Sequence, residues 1–448
     1  MKTTICAPVT GSGCAAVMLV RLSGPQAGTI LSHLLGENRT FEPRKQTLCT
    51  LYDNGEVLDR ALVTYFQAPH SFTGEDVVEF ALHGSPYIQG RLLELLCRYG
   101  AVPARRGEFS YRAFVNGKMD LVQAQGLCDL IASGNASAHR LALRSLDGQL
   151  SQKITAVKTT LSELLAQIEV RLDDVDEEME PLTPDFVRAQ LAAPLAHIRA
   201  LTDTFSVGRL IKDGLKVAII GVPNNGKSSL LNALVGFNRA IVSAASGTTR
   251  DTIEETLEIN GQKIILTDTA GIRDHALDPA EEEGIFRSRK AMEQADAILF
   301  LLDASREITA QERALWEEVS RQQKRILIIS NKADKADSIY PLAQGMENYA
   351  HFSISCKTGE GIEKLKNALT AFTRQVPADG LMISNLRHYQ ALLLAQTELE
   401  SAVIRQEAGG EIVAEHLRAA LSHLRELIGE VTPDDILGII FSKFCMGK

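Results

Sequence analysis

Aromatic residues are scarce in this 448-residue chain: they make up 5% of it, with a single Trp. With few large rings and abundant Leu and Ala, substantial helix is expected. Long apolar runs are missing too. The longest, such as Ala297-Ile-Leu-Phe-Leu-Leu302, fall far short of the ~20 residues needed to cross a bilayer, so no membrane span is expected. Met1 to Pro8 hold no extended apolar region, and no secretory leader is expected. The seven Cys, an odd number, lie scattered without metal-ligand spacing, which reads as reduced thiols in a cytoplasm. Excess positive charge is also lacking. A net charge of −9 argues against a broad nucleic-acid-coating surface, because neutralising phosphates takes clustered Lys and Arg. Any RNA contact is then a local patch or is shared with a partner.

What is present begins with length enough for two to four domains and a hydrophobic content of 45%, suited to a globular protein. The texture changes three times. Residues 1–118 mix short β-like runs (Ala61 to Phe66, Val77 to Leu82) with Gly and Pro turns, an α+β pattern. Residues 119–213 read as helical. Leu143, Leu146, Leu150, Ile154, Val157, Leu161, Leu164, Ile168 and Leu172 recur at steps of three or four, one long apolar stripe. Residues 214–376 alternate strands (Val217 to Ile220, Ile264 to Leu266, Ala297 to Leu302, Ile326 to Ile329) with helices, the rhythm of a mostly parallel sheet. Residues 377–448 return to helical spacing at Val413, Leu417, Leu421, Leu424 and Ile428. The fold class expected is multidomain α/β: an α+β N-terminal domain, then a helical domain into which a nucleotide domain is inserted.

The inserted segment carries a guanine-nucleotide switch with all its parts in order. Gly221-Val-Pro-Asn-Asn-Gly-Lys-Ser228 follows a strand and opens a helix at Ser229. Its glycines, Gly221 and Gly226, let backbone N–H groups of residues such as Asn224 and Asn225 face phosphate oxygens at a helix N-terminus. Lys227 neutralises the β- and γ-phosphates, and the Ser228 hydroxyl ligates Mg²⁺. Gly247-Thr-Thr-Arg-Asp251 marks the first switch, with Thr249 placed to close onto Mg²⁺, and the nucleotide site takes in Gly247, Thr248 and Thr249 with the preceding Ser243, Ala244, Ala245 and Ser246. The second begins at Asp268, which holds the metal through water, and runs through Thr269, Ala270 and Gly271. Guanine is read by Asn331, Lys332, Ala333 and Asp334 with Ser355, Cys356 and Lys357. Asp334 accepts from guanine N1–H and the exocyclic amine, where adenine has the wrong polarity, a discrimination approaching ~10⁴-fold. A P-loop ATPase would not carry Asn331 to Asp334.

Hydrolysis needs water oriented and charge neutralised. Apolar Ile272 stands where switch enzymes usually have Gln, and an acidic candidate follows in Glu281-Glu-Glu283. A positive charge beside the transferring phosphoryl group is worth ~10³–10⁵ in rate. Asn224 suits either a monovalent cation in that place or loop geometry alone. Arg250 and Arg273 read as arginine fingers or as solvated switch charges.

Motifs in and beyond this segment resemble one family. Gly-x-Pro-Asn-x-Gly-Lys-Ser, Gly-Thr-Thr-Arg-Asp and Asp-Thr-Ala-Gly-Ile are similar to Era-like GTPases. The ending Phe441-Ser-Lys-Phe-Cys-Met-Gly-Lys448 resembles the terminal Phe-Cys-Ile-Gly-Lys of the MnmE (TrmE) family. So do Val20-Arg-Leu-Ser-Gly-Pro25, Ser71 to Asp76, His83-Gly84, Arg106 to Phe109 and Arg112 to Leu121, so that the match spans essentially the whole chain. The resemblance implies a cytoplasmic tRNA-modification GTPase working with an FAD-dependent partner, MnmG (GidA), as a heterotetramer. Together they place an aminomethyl or carboxymethylaminomethyl group on carbon-5 of the wobble uridine of certain tRNAs. The one-carbon unit comes from a 5-formyl- or methylene-tetrahydrofolate bound at the N-terminal domain, which also forms a homodimer. K⁺ is implied at Asn224, Ser243, Ala245 and Thr248, and the water-orienting carboxylate is Glu281, three residues before Gly284-Ile285. Folate is implied at Arg21, Glu79, Lys118 and Lys448, and a role in modification at Cys445.

Without the resemblance, Arg21 and Lys118 would be ordinary surface charges, Glu79 a strand-edge residue and Cys445 an inert thiol; His83 reads as a site or a turn-capping residue. Four positions depart from the family pattern: the Gly-poor Gly11 to Ala16, Ser85, Gln125 and Met446. The rival functions are a ribosome-assembly GTPase, which would call for an RNA-binding domain and a basic surface, and a non-enzymatic scaffold regulated by GTP.

Overall fold

A computed structural model of the chain describes residues 3–11, 13–36, 40–173, 183–236, 254–268, 289–336, 340–372, 380–444 and 447. The chain divides into two compact units. One comprises residues 1–128, 144–191 and 397–448, the other residues 129–143 and 192–396. No described helix is long and apolar enough to cross a membrane.

The first unit opens with a six-stranded sheet: β1 (Ile5–Pro8), β2 (Ala15–Ser23), β3 (Gln46–Asp53), β4 (Glu56–Phe66), β5 (Val77–Gly84) and β6 (Val102–Pro103). The spatial order is β3-β4-β5-β2-β1-β6, antiparallel except that β1 runs parallel to β6. Alternation buries one face: Met18, Val20 and Leu22 of β2 and Val78, Phe80 and Leu82 of β5 point inward, as period-2 side chains must. Helices α1 (Ala27–Leu35) and α2 (Pro86–Arg98) cover that face with Ile30, Leu31, Leu34, Leu92, Leu95 and Leu96.

The α+β reading of this segment matches the fold, but the placement of Glu79 corrects it. Strand order is not sequence order, so β5 lies inside the sheet between β4 and β2, and Glu79 is not at a strand edge.

Helices follow: α3 (Glu108–Val115), α4 (Leu121–Ala132), α5 (Ala136–Leu146), α6 (Gln149–Leu172), α7 (Pro184–Thr202) and α8 (Phe205–Asp213), with α12 (Leu386–Ile404) later in the chain. The apolar stripe starting at Leu143 is therefore not one helix. Gly148, at φ +81°, turns the chain into a left-handed conformation natural only to Gly, and α6 starts afresh after it. Within the first unit, α6 packs antiparallel to α13 (Gly410–Ile428). Leu150, Ile154, Val157, Leu161 and Leu164 of α6, and Val413, Leu417, Leu421 and Leu424 of α13, are all buried. Lys158 pairs with Glu430, and Arg418 with Glu169 at 2.8 Å.

In the same unit, α14 (Asp434–Ser442) lies against α3. Gly107 is indispensable there: it sits at φ +69°, and a Cβ on it would come 2.3 Å from the Phe441 carbonyl oxygen.

The second unit holds β7 (Leu215–Ile220), α9 (Lys227–Val235), β8 (Glu254–Ile259), β9 (Gln262–Asp268), β10 (Ala297–Asp303), α10 (Ala310–Ser320), β11 (Arg325–Asn331), β12 (Ala350–Ser353) and α11 (Ile362–Ala371). Their order is β12-β11-β10-β7-β9-β8, parallel apart from the β8–β9 hairpin. β7 and β10 are buried along nearly their whole length, as expected of central strands covered on both faces. From β7 the chain builds one side of the sheet, then returns to place β10 on the other. The loop after β7 thus lies at a topological switch point, where open α/β sheets form their ligand crevices.

Candidate functional site

The loop after β7 is shaped by two left-handed residues, Asn224 (φ +66°) and Gly226 (φ +95°), the second being the N-cap of α9. Successive turns of that kind aim backbone N–H groups inward, a concavity suited to an anion. Close packing dictates the glycines. A Cβ on Gly221 would lie 2.7 Å from the Leu301 carbonyl oxygen, and one on Gly226 would lie 2.3 Å from Asn331 Nδ2. Lys227 Nζ donates to the carbonyls of Gly221 (2.9 Å) and Val222 (3.2 Å), which holds its ammonium over the loop. Ser228 and Ser229 are exposed in the first turn of α9.

The guanine-reading segments meet the same loop. Asn331 ends β11 and donates from Nδ2 to the Asn225 carbonyl oxygen at 3.0 Å, while its Oδ1 accepts from Cys356 N at 3.2 Å. Lys332, itself left-handed (φ +66°), donates to the Asn224 carbonyl oxygen (2.8 Å) and to Asp303 Oδ2 (2.6 Å). Ala333 N bonds the Ile354 carbonyl oxygen at 3.0 Å. Asp334 is exposed and accepts from the buried Ser355 hydroxyl at 2.6 Å; that bond, aided by Lys357, holds its carboxyl below the usual range. Burial pushes the Cys356 thiol up to about 11, with its bond to Asn331 opposing. An ionised, exposed carboxylate beside a phosphate-type concavity, in a segment tied to it by the side chains of Asn331 and Lys332, suits a ligand with an anion at one end and a pair of N–H donors at the other. GTP has that form.

Two neighbours, Arg306 and Glu312, escaped the sequence reading, and the side chain of Asn225, a residue that reading places in the nucleotide site, joins them to the loop. Asn225 is fully buried and donates to the Leu301 carbonyl oxygen (2.8 Å) and to Glu312 Oε1 (2.7 Å), and its own Oδ1 accepts from Arg306 Nη2 (2.9 Å). Glu312 also takes both guanidinium nitrogens of Arg306 (2.8 and 3.0 Å) and closes a capping box with Thr309 at the start of α10. Burial works to raise the Glu312 pKa, but the bonds from Arg306, Thr309 and Asn225 together hold it below the ordinary value. Asp303 behaves alike, with Lys332 and Ser305 prevailing over burial. The Thr-x-x-Glu spacing of Thr309 and Glu312 was the available signal, since it marks a helix start; it does not tell that Glu312 reaches the phosphate loop.

Asp268 closes β9, its backbone in register with Ile219 of β7. Ser243, Ala244, Ala245, Ser246, Gly247, Thr248, Thr249, Thr269, Ala270, Gly271 and Glu281 lie outside the described residues, and so do Cys445 and Lys448.

In the first unit, Arg21 of β2 and Glu79 of β5 stand in register and pair through Nε (2.9 Å) and Nη2 (2.8 Å). The guanidinium lies 5.1 Å from the Phe72 ring centre and 5.5 Å from that of Phe109, both within cation–π reach. Lys118 Nζ donates to the Pro69 carbonyl oxygen at 3.0 Å, and its stem passes Gly74. The loop between β4 and β5 thus supplies a neighbour to both: Phe72 to Arg21, Pro69 and Gly74 to Lys118. Beneath it, fully buried Arg112 binds Glu75 (3.0 Å), Glu108 (3.0 Å) and the Thr3 carbonyl oxygen (2.7 Å), an anchor the sequence reading did not single out. His83 has a structural partner: its Nδ1 and its backbone N bond the two oxygens of Asp59, at 2.7 and 3.0 Å.

Comparison with known proteins agrees with this geometry. Residues 4–118 match the family model of the GTP-binding protein TrmE N-terminus, and residues 121–445 match that of the MnmE helical domain. Three relatives bear the name tRNA modification GTPase MnmE. The protein from Psychrobacter sp. (strain PRwf-1) is 42% identical over 100% of this chain and 99% of its own length. That from Acinetobacter baylyi is 42% identical over 100% and 97%. The Aquifex aeolicus protein is 39% identical over 100% of each. A phosphate-type loop joined to the Asn331 and Lys332 segment, in a chain matched from end to end, places this protein in the MnmE (TrmE) family of tRNA-modification GTPases, GTP hydrolases that act in tRNA modification.

Proposed function

We propose that the chain is a K⁺-stimulated GTPase that acts with an FAD-dependent MnmG (GidA) partner. Together they add an aminomethyl or carboxymethylaminomethyl group to carbon-5 of the wobble uridine of certain tRNAs. The bonds by which Asn331 and Lys332 link the phosphate loop to the guanine motif, with Asp334 held by Ser355, support the nucleotide half of this reading. The Arg21–Glu79 pair beside Phe72 and Phe109 supports the folate half. The proposed domains are residues 1–118 for dimerisation and folate, 119–213 and 377–448 for the two parts of the helical domain, and 214–376 for GTP. The working assembly is a cytoplasmic homodimer joined to MnmG as a heterotetramer.

In the nucleotide site, Lys227 leaves its loop carbonyls to contact the β- and γ-phosphates, and Asp334 accepts from the guanine edge. Mg²⁺, held by Ser228 and Thr249, neutralises charge on the phosphate oxygens. K⁺, held by Asn224, Ser243, Ala245 and Thr248, supplies a further positive charge where other switch enzymes use an arginine. Glu281 orients the attacking water and accepts its proton. In the N-terminal site, Glu79 accepts from the amino edge of a pterin, and Arg21, Lys118 and Lys448 engage the carboxylates of a 5-formyl- or methylene-tetrahydrofolate. That folate supplies the one-carbon unit. Cys445, between the cations Lys443 and Lys448, acts on this unit as a nucleophile or proton-transfer group.

The test is nucleoside mass spectrometry of bulk tRNA from cells lacking this chain. The modified wobble uridine disappears and returns when the chain is re-expressed. An unchanged profile sinks the wobble-uridine reading and makes ribosome-subunit profiles the next measurement.

A further inference from the structure

The geometry points to Arg306 and Glu312 as positioning residues for nucleotide binding that act through Asn225, a role that rests on the nucleotide-site reading above. Asn225 is the one phosphate-loop residue whose side chain turns fully into the protein, and each of its polar atoms has a partner. Its Nδ2 is shared between the end of β10, at Leu301, and Glu312. Its Oδ1 takes Arg306, and its backbone oxygen takes Asn331, whose own Oδ1 takes Cys356 N. A continuous set of hydrogen bonds therefore runs from the start of α10, through the phosphate loop, to both guanine-reading segments.

The arrangement is more than a helix cap. Glu312 would cap α10 with Thr309 alone, and the capping box is complete without Asn225. Arg306 adds a second link: it bridges Glu312 and Asn225 with one planar guanidinium, a fork that Lys cannot reproduce. Because the loop holds left-handed residues on both sides of Asn225, at Asn224 and Gly226, it has competing relaxed shapes. Fixing the Asn225 side chain selects the concave one before nucleotide arrives, and a preorganised site binds more tightly. Both residues contact the loop through the buried Asn225 side chain and not through Lys227 or Ser228, so the effect falls on affinity and not on the chemical step.

Arg306→Ala is the leading variant, since the side chain is 37% exposed and its removal leaves the Thr309–Glu312 cap in place. In the full-length protein, titration with a fluorescent GDP analogue and steady-state GTP hydrolysis are read together. Arg306→Ala and Asn225→Ala each weaken GDP binding by about 10-fold, the size of one lost charge-assisted bond. KM for GTP rises in parallel, and for Arg306→Ala kcat stays within twofold. The double variant is no weaker than the weaker single variant, because both remove the same link. Arg306→Lys recovers only part of the affinity.

Lys227→Ala is measured alongside. If it abolishes binding while Arg306→Ala binds like the wild type, the positioning role is refuted and the nucleotide site stands. If the double variant shows the product of the two single effects, Arg306 does not act through Asn225. If Lys227→Ala binds like the wild type, the site reading falls and the positioning role with it.

Discussion

Replacing Gly226 with Ala tests the phosphate loop at its tightest point. Gly226 sits at φ +95°, a conformation that costs an L residue about 1–2 kcal/mol. The new methyl would also stand 2.3 Å from Asn331 Nδ2, inside any tolerable contact. Asn331 is buried and bonded on both sides, so it cannot swing away without releasing the Asn225 carbonyl oxygen or Cys356 N, a further loss of about 0.5–1.5 kcal/mol. The total is about 2–3 kcal/mol.

The structure also says where that energy must appear. If the loop keeps its shape, the strain is borne in the folded state, and thermal unfolding of the nucleotide-binding unit falls by about 4–10 °C. If the loop relaxes, stability is spared and the concavity is lost, so GDP binds about 30- to 150-fold more weakly. Melting without nucleotide and GDP titration, done on the same preparation, apportion the two. A Gly226→Ala protein with melting within 1 °C and affinity within about twofold of wild type would refute the reasoning, because neither outlet would have taken the strain.

Two more predictions follow from the ion pairs. Glu312 has its folded-state pKa lowered, so its bonds stabilise the fold above the ordinary Glu value near ~4.3, and that contribution fades as pH falls through the lowered value. Glu312→Gln is therefore less stable than wild type at neutral pH, by about 1–3 kcal/mol, and the gap narrows as pH falls below ~4. Melting curves from pH 7 down to pH 3 check this, and a gap that stays constant sinks it. In the first unit, Arg21→Ala leaves the Glu79 carboxylate (22% exposed) with its cationic partner gone, which destabilises by about 1–3 kcal/mol. Adding Glu79→Gln restores part of that stability but no binding of 5-formyl-tetrahydrofolate. Full recovery of binding in the double variant would remove both residues from the folate site.

How far the sequence reveals this molecule depends on whether a signal is local. The phosphate loop was legible because its glycines, Lys227 and Ser228 act within one turn between a strand and a helix, all inside eight consecutive residues. The parallel sheet was legible from strands apolar on both faces, such as Ala297 to Leu302. Glu79 was not placed correctly, because its burial depends on β2 inserting beside β5, a pairing of residues 58 apart. The helical stripe was overextended because periodicity ignores backbone: Leu143, Leu146 and Leu150 keep the spacing, yet Gly148 adopts φ +81° between them.

Asn225 is the most instructive case. In sequence it is read only for its backbone N–H in the phosphate-binding motif, and its side chain is given no part. In the fold its amide is fully buried, and an unpartnered buried amide would cost about 1–3 kcal/mol, so it demands acceptors and a donor from elsewhere. The donor and one acceptor come from Arg306 and Glu312, 81 and 87 residues away. Nothing near Asn225 in the chain signals that demand; only the return of β10 beside β7 brings the start of α10 under the loop. The residues proposed to bind nucleotide come from local pattern, whereas those that hold them in place follow from topology. Variants of Arg306 and Glu312 are accordingly where altered affinity without altered chemistry is to be sought.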